Sequence, residues 1–269
     1  KRVAVVGSGP SGLSTAAELN SVGHTVTVFE RADEVGGLLR YGIPDFKLEK
    51  HVVDRRVNIM KEEGIIFKTN TNIGVDYDVN ELLDNFDAVV LTGGSTIPRD
   101  LKVEGRELKG TYFAVDFLRQ QNKRVAGKKI MEEEINAKGK IVVVIGGGDT
   151  GSDCIGTSIR QGAKKVYQYE VMPKPPENRD KTMPWPIFPK TLKTTTSHKE
   201  GCIREWCINT KKLVGEKGVL KSLKGVKVKW ENNNGKRQMV EIPGTEFEQP
   251  VDLIFLAMGF LHPQHEGLL

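Results

Sequence analysis

Two copies of one local pattern dominate this chain. Residues 2–6 (Arg-Val-Ala-Val-Val) form a nearly continuous apolar run ending at Gly7, as a strand buried on both faces of a parallel sheet does. Ser11 to Val22 follows with Leu13, Ala16, Ala17 and Leu19 at helical spacing. Gly23 stops the helix, and Thr25 to Glu30 is a second β-branched run. Strand, glycine turn, helix and strand within thirty residues make a βαβ unit with a right-handed crossover. The grammar restarts at Lys140–Ile145. A turn at Gly146–Gly151 follows, then a helix over Ser152–Gln161, stopped by Gly162, and a strand over Lys165–Val171. About 140 residues separate the copies, too many for a solenoid repeat, so the pattern predicts two domains of one kind.

Each turn has the composition that phosphate binding requires. Gly7-Ser8-Gly9-Pro10-Ser11-Gly12 fits G-x-G-x-x-G. Gly7 serves the tight turn, Gly9 the approach of a pyrophosphate to backbone, and Gly12 the close packing of helix on strand. The helix start offers unpaired N–H groups and a partial positive charge. Glu30 stands twenty-three residues after Gly7, where a carboxylate accepts from ribose hydroxyls. Gly146-Gly147-Gly148-Asp149-Thr150-Gly151 repeats the frame, with Glu170 twenty-four residues after Gly146. Two such sites imply two dinucleotides placed face to face, for which electron transfer is the economical reason. The competing readings are ordinary αβ turns, or one working site beside a vestigial one. An acid at position 170 accepts from a 2′-hydroxyl and repels a 2′-phosphate, which favours NADH over NADPH; Lys174 and Arg179 could offset it. Hydride transfer between nicotinamide and flavin needs no catalytic acid or base, and none is expected.

The remaining chain fits around these units. A helix is expected over Leu48–Glu63 with Val52, Val53, Val57 and Met60 on one face, and a buried strand over Asp87–Leu91 leading to Gly93-Gly94. Six of the twelve prolines lie between Pro173 and Pro189, which predicts a long rigid loop. An antiparallel section follows: Val226, Val228 and Trp230 alternate with Lys227, Lys229 and Glu231, Asn232–Gly235 reads as a hairpin turn, and Gln238–Ile242 returns. Asp252–Ala257 is a last buried strand, reaching Met258-Gly259.

Composition removes several function classes. A net charge of +5 is mild and scattered, so neither nucleic acid nor a membrane surface is expected as a partner. No apolar stretch is long enough to span a bilayer as a helix. Cys154, Cys202 and Cys207 form no CxxC pair and no even set, which excludes a disulfide framework, a dithiol redox centre, or an iron–sulfur cluster held within these residues. Buried structural thiols and a cytoplasmic location are expected. His24, His51, His198, His262 and His265 lack metal-ligand spacing, and no metal site is expected.

Glu30-Arg31-Ala32-Asp33-Glu34-Val35-Gly36-Gly37-Leu38-Leu39-Arg40-Tyr41-Gly42-Ile43-Pro44-Asp45-Phe46-Lys47-Leu48 is more specific than either turn. It resembles the flavin-binding segment of the glutamate synthase small-subunit family and its relatives, the reductase part of dihydropyrimidine dehydrogenase and adrenodoxin-reductase-like flavoproteins. Tyr169-Glu170-Val171-Met172-Pro173-Lys174-Pro175-Pro176-Glu177-Asn178-Arg179 and Pro184-Trp185-Pro186 resemble the glutamate synthase branch in particular. The resemblance runs from Lys1 to about Pro263.

The resemblance implies an α/β fold of two Rossmann-like, three-layer domains of FAD/NAD(P)-binding type, with an antiparallel β-meander insertion. FAD is expected in residues 1–107, completed by 255–269 and a further carboxy-terminal segment, and NAD(P)H in residues 108–254. Gly7, Gly9, Pro10, Ser11 and Gly12 would meet the FAD pyrophosphate and Glu30 and Arg31 the adenosine side, with Gly37, Leu38, Arg40 and Lys47 toward the flavin. Thr92-Gly93-Gly94 and Ala257-Met258-Gly259 would close over FAD. Gly146, Gly148, Asp149, Thr150, Gly151, Glu170 and Arg179 would hold the nicotinamide dinucleotide. Iron–sulfur clusters belong to a segment outside this chain, so the chain reads as a piece of something longer. The implied partner is the large subunit, or a fused synthase domain, making glutamate from glutamine and 2-oxoglutarate; an oligomer is left open. The rival readings are a reductase of the same architecture with another acceptor, ferredoxin-linked or pyrimidine-reducing, and a non-catalytic nucleotide-binding fragment.

Overall fold

A computed structural model describes residues 1–233 and 235–268. They form two compact units: Lys1–Arg99 with Leu118–Glu132 and the residues from Phe260 onward, and Asp100–Phe117 with Glu133–Gly259.

The first unit contains β1 (Arg2–Val6), α1 (Pro10–Ser21), β2 (Thr25–Phe29), α2 (Leu38–Tyr41), α3 (Lys50–Glu62), β3 (Ile66–Lys68), α4 (Val79–Asn85), β4 (Ala88–Leu91) and β5 (Ile97–Pro98). Four strands make a parallel sheet in the order β3-β2-β1-β4, and the reversal of strand order lies at β1. Successive side chains of a strand point to opposite faces, so a sheet covered on both sides needs apolar residues at every position. On one face Val5, Val26 and Val28 pack with Leu13 and Ala16 of α1 and Val53, Val57 and Met60 of α3. On the other, Ala4 and Phe29 meet Ile73 and Leu82. Val52 departs from its expected place on the inner face of α3: it is exposed, because neighbours on a helix lie about 100° apart and Val53 takes the inward direction.

The second unit contains β6 (Thr111–Phe113), the start of α5 (Ala114–Val125), β7 (Ile141–Ile145), α6 (Asp149–Arg160), β8 (Lys165–Glu170), α7 (Thr196–Lys199), β9 (Ile203–Trp206), β10 (Ile208–Glu216), β11 (Val219–Asn233), β12 (Lys236–Glu241), β13 (Phe247–Pro250) and β14 (Leu253–Leu256). The last strand, β15 (Phe260–His262), pairs with β5 in the first unit. A parallel sheet runs β6-β14-β7-β8-β9, again with the strand of the glycine turn inside it. Phe117 and Phe255 stack within this unit with ring centroids 4.0 Å apart, both fully buried. Beside it lies an antiparallel sheet in which β11 pairs with β10, β12 and β13.

The expected hairpin is present, with Asn233 opposite Lys236; within its turn, Asn234 lies outside the described residues. The antiparallel sheet begins earlier than the alternation predicts. Register shifts at Thr210/Lys212 and Val214/Gly215 break the period of two along β10 and hide that strand from the sequence pattern. No helix or strand interrupts the proline-rich stretch up to α7. Arg179 organises it by donating from one guanidinium nitrogen to the carbonyls of Met183 and Ile187, each at 3.0 Å.

Candidate functional site

At each βα junction the three glycines of the G-x-G-x-x-G frame meet different demands. At the first, Gly7 has φ of +106°, and a Cβ there would lie 2.5 Å from the Thr92 carbonyl oxygen. A Cβ on Gly12 would lie 1.9 Å from the Gly7 carbonyl oxygen. The fold itself requires glycine at both places. Gly9 differs: its φ of −65° and ψ of −179° suit any residue, and a Cβ there meets nothing within 4 Å.

The second junction repeats this. Gly146 has φ of +127° with a would-be Cβ 2.2 Å from the Ala257 carbonyl oxygen, and one on Gly151 would sit 2.5 Å from the Gly146 carbonyl oxygen. Gly148, at φ −83° and ψ −175°, faces open space. In both turns the middle glycine keeps bare a surface that faces away from the protein. Neither Gly9 nor Gly148 caps its helix with a side chain, and Pro10 at the start of α1 has no N–H to satisfy. The amides of Ser11 and Gly12 therefore stand at the positive end of α1. Asp149 occupies the first turn of α6, with Thr150 beside it.

Glycine carbonyls at the turns are supported differently. Thr92 Oγ1 lies 2.9 Å from the Gly7 carbonyl oxygen, while Gln168 Nε2 donates to the Gly146 carbonyl at 2.9 Å and is itself held by Arg204 at 3.0 Å. Thr92-Gly93-Gly94 follows β4 and Ala257-Met258-Gly259 follows β14, so Ala257 stands to the second turn as Thr92 does to the first. Gly93, Gly94 and Gly259 all leave open space where a side chain would be.

The acids at the strand tips complete the cradles. Glu30 is 8% exposed; one oxygen accepts from Ser8 N at 3.1 Å and from Ser8 Oγ, the other from Ala32 N at 2.8 Å. Glu170 is half-buried, accepts from Met172 N at 3.1 Å, and lays its other oxygen over Gly147.

The outlying candidates disperse. Gly37 approaches Gly9 so closely that its Cβ would lie 2.9 Å from the Gly9 Cα, which brings the Gly37-Leu38 corner to the first turn. Arg40 donates to the Val35 carbonyl and pairs with Asp54; Arg31 reaches Gln264 at 2.7 Å; Lys47 is exposed. Arg179 is exposed within the proline-rich loop. An open cleft of about 460 Å³ in the first unit touches neither turn, and paired charges such as Lys128 with Glu34 line it. Ser8, Gly36 and Gln168 escaped the sequence reading. Ser8 had a signal, its place between two site glycines, whereas Gln168 had none.

Expectation and structure part at the cysteines. Cys154 is buried, and burial, with Asp153 adding to it, pushes its thiol well above the usual range. Cys202 and Cys207, expected to be buried, are half-exposed because they flank β9 at the edge of the sheet. Among the described residues no cluster of three His, Cys, Asp or Glu could hold a metal, and no helix is long and apolar enough to cross a membrane.

The sequence pattern of the pyridine nucleotide-disulphide oxidoreductases matches residues 1–260. The chain belongs to this family. As a pyridine nucleotide-disulphide oxidoreductase it is 48% identical to the glutamate synthase [NADPH] small chain of Mycobacterium tuberculosis, over 99% of this chain and 55% of that one. It is 47% identical to the small chain of Bacillus subtilis, over 97% and 55%, and 46% identical to the glutamate synthase [NADH] of Saccharomyces cerevisiae, over 97% and 13%. The chain thus spans about half the length of the small chains it matches. In fold it is similar to Mycobacterium tuberculosis FprA in complex with NADPH, with a TM-score of 0.73 at 19% identity over 96% of this chain and 70% of that one. A thioredoxin reductase of T. acidophilum gives 0.63 at 18%, over 99% and 79%. The three cysteines of this member, Cys154, Cys202 and Cys207, are all unpaired thiols in the structure.

The geometry separates glycines that the fold requires from glycines that it does not. Without ligand, Gly9→Ala and Gly148→Ala should change unfolding stability by less than about 1 kcal/mol. Gly12→Ala and Gly151→Ala should each cost several kcal/mol, on the order of other overpacking and strain penalties. Denaturant unfolding of the four variants checks this, and equal losses at all four would contradict it.

Proposed function

We propose that this chain is the dinucleotide-handling part of a glutamate synthase small chain, with FAD at the first turn and NADH or NADPH at the second. The observation that carries the reading is the pairing of Gly9 and Gly148. Each is a glycine that its own fold does not demand, at the bare face of an uncapped helix start with a carboxylate at the adjoining strand tip. A pyrophosphate is the group that needs such a face. Identity near one half with small chains over almost the whole sequence supports the choice of enzyme.

Bound together, a reduced nicotinamide and a flavin supply hydride chemistry. The chain's own work is to bind and orient. Gly7 and Gly12 hold α1 against β1 so that the Ser11 and Gly12 amides face one pyrophosphate, and Glu30 takes ribose hydroxyls. Gly146 and Gly151 do the same for α6, with Gly148, Asp149 and Thr150 at the second pyrophosphate and Glu170 at its ribose. Gly37, Leu38, Arg40 and Lys47 would serve the flavin side, and Thr92, Gly93, Gly94 and Gly259 would close over FAD. Arg179 and Lys174, in the proline-rich loop, are the cations that would offset Glu170 toward a 2′-phosphate. Glu170 repels such a phosphate, so the nicotinamide cofactor is NADH in preference to NADPH.

The electrons leave by iron–sulfur clusters outside these residues, toward a large subunit or fused synthase domain that forms glutamate from glutamine and 2-oxoglutarate. The unpaired cysteines fit a reducing cytoplasm.

The purified full-length protein should be yellow and should bleach anaerobically on NADH. Gly148→Ala should keep its flavin content while raising the Kd for the nicotinamide cofactor about tenfold, since a methyl there displaces a phosphate contact. Loss of flavin and nicotinamide binding together would contradict the two-site assignment. Glu170→Ala should lower the NADH-over-NADPH ratio of kcat/KM by about tenfold; an unchanged ratio would remove the basis for NADH preference.

A further inference from the structure

The two cradles repeat each other in backbone but hold their acids in different ways. In the first, the residue between the first two glycines is Ser8, which is fully buried. Its hydroxyl accepts from Gly36 N at 3.0 Å, so its single hydrogen is left for Glu30, whose Oε2 it reaches. Ser8 N donates to the same oxygen and Ala32 N to the other. Three donors thus fix the Glu30 carboxylate, two on Oε2 and one on Oε1, and the acceptor site that remains is on Oε1. The bond from Gly36 also ties down the corner whose next residue, Gly37, lies against Gly9.

In the second cradle the equivalent residue is Gly147, which has no hydroxyl to offer. The Glu170 carboxylate rests where a side chain on residue 147 would be, 2.5 Å from its would-be Cβ, and takes its hydrogen bond from Met172 N. The first acid is locked by buried protein donors, and the second is a half-exposed side chain on one donor.

We infer that Ser8 is a positioning residue. It presets Glu30 for the adenosine ribose hydroxyls, which gives the first cradle a tighter hold on its dinucleotide than the second. A group already ordered by the fold loses no rotamer freedom when the ligand arrives, and buried charge-assisted hydrogen bonds are the stronger kind. This inference rests on the assignment of FAD to the first turn.

The test is a titration of the full-length apoprotein with FAD, read by flavin fluorescence, for the wild type, Ser8→Ala, Glu30→Ala and the double variant. Ser8→Ala should raise the FAD Kd about tenfold, whereas on the Glu30→Ala background the same change should add less than about twofold. Ser8→Gly, which copies the residue that the second turn already accommodates, should match Ser8→Ala and covers the case in which alanine misfolds. The Kd for NADH should stay within about twofold in every variant. An equal loss from Ser8→Ala on both backgrounds, an effect on NADH, or no effect at all would overturn the role of Ser8 and leave the FAD assignment standing. A wild-type protein that holds no FAD would overturn both.

Discussion

The contact between the last glycine of each turn, Gly12 or Gly151, and the carbonyl of the first, Gly7 or Gly146, governs both halves of this protein. In each half a helix starts so close to the strand that precedes it that the last glycine of the turn lies against the carbonyl of the first. Any side chain at Gly12 or Gly151 would push the helix away from the sheet and carry the amides of its first turn with it. From that closeness follow the aim of α1 and α6, the exposure of their uncapped starts, and the bare faces at Gly9 and Gly148.

The duplication makes the molecule its own control. On the proposed assignment, features common to both junctions serve what the two ligands share, the pyrophosphate and the ribose, and features that differ serve what separates them. The carbonyl of the turn glycine is supported by Thr92 in one copy and by Gln168 backed by Arg204 in the other; the acid is locked by Ser8 in one and rests over Gly147 in the other. Asp149 has Pro10 as its counterpart at the helix start.

Much of this was legible in the sequence because its determinants are local. The βαβ units, their glycines and their acids all lie within thirty residues of one another, and strands buried on both faces announce themselves as apolar runs. What escaped depends on distant partners or on broken periodicity. β10 was hidden by its two register shifts, and α5 by a sequence, Ala-Val-Asp-Phe-Leu-Arg-Gln-Gln-Asn-Lys-Arg-Val, with no capping residue at its start. Gln168 matters only because the fold brings it to a carbonyl twenty-two residues away. Ser8 was visible as a motif position, yet its use became evident only when Glu30 and Gly36 were seen around it.

The central claim is that each bare glycine face receives the pyrophosphate of a different dinucleotide. A crystal structure of the full-length protein with FAD and NADH bound tests it most directly. The account predicts one pyrophosphate in van der Waals contact with the Cα of Gly9 and the other with the Cα of Gly148. A pyrophosphate seated elsewhere, with either glycine left facing solvent, would contradict it.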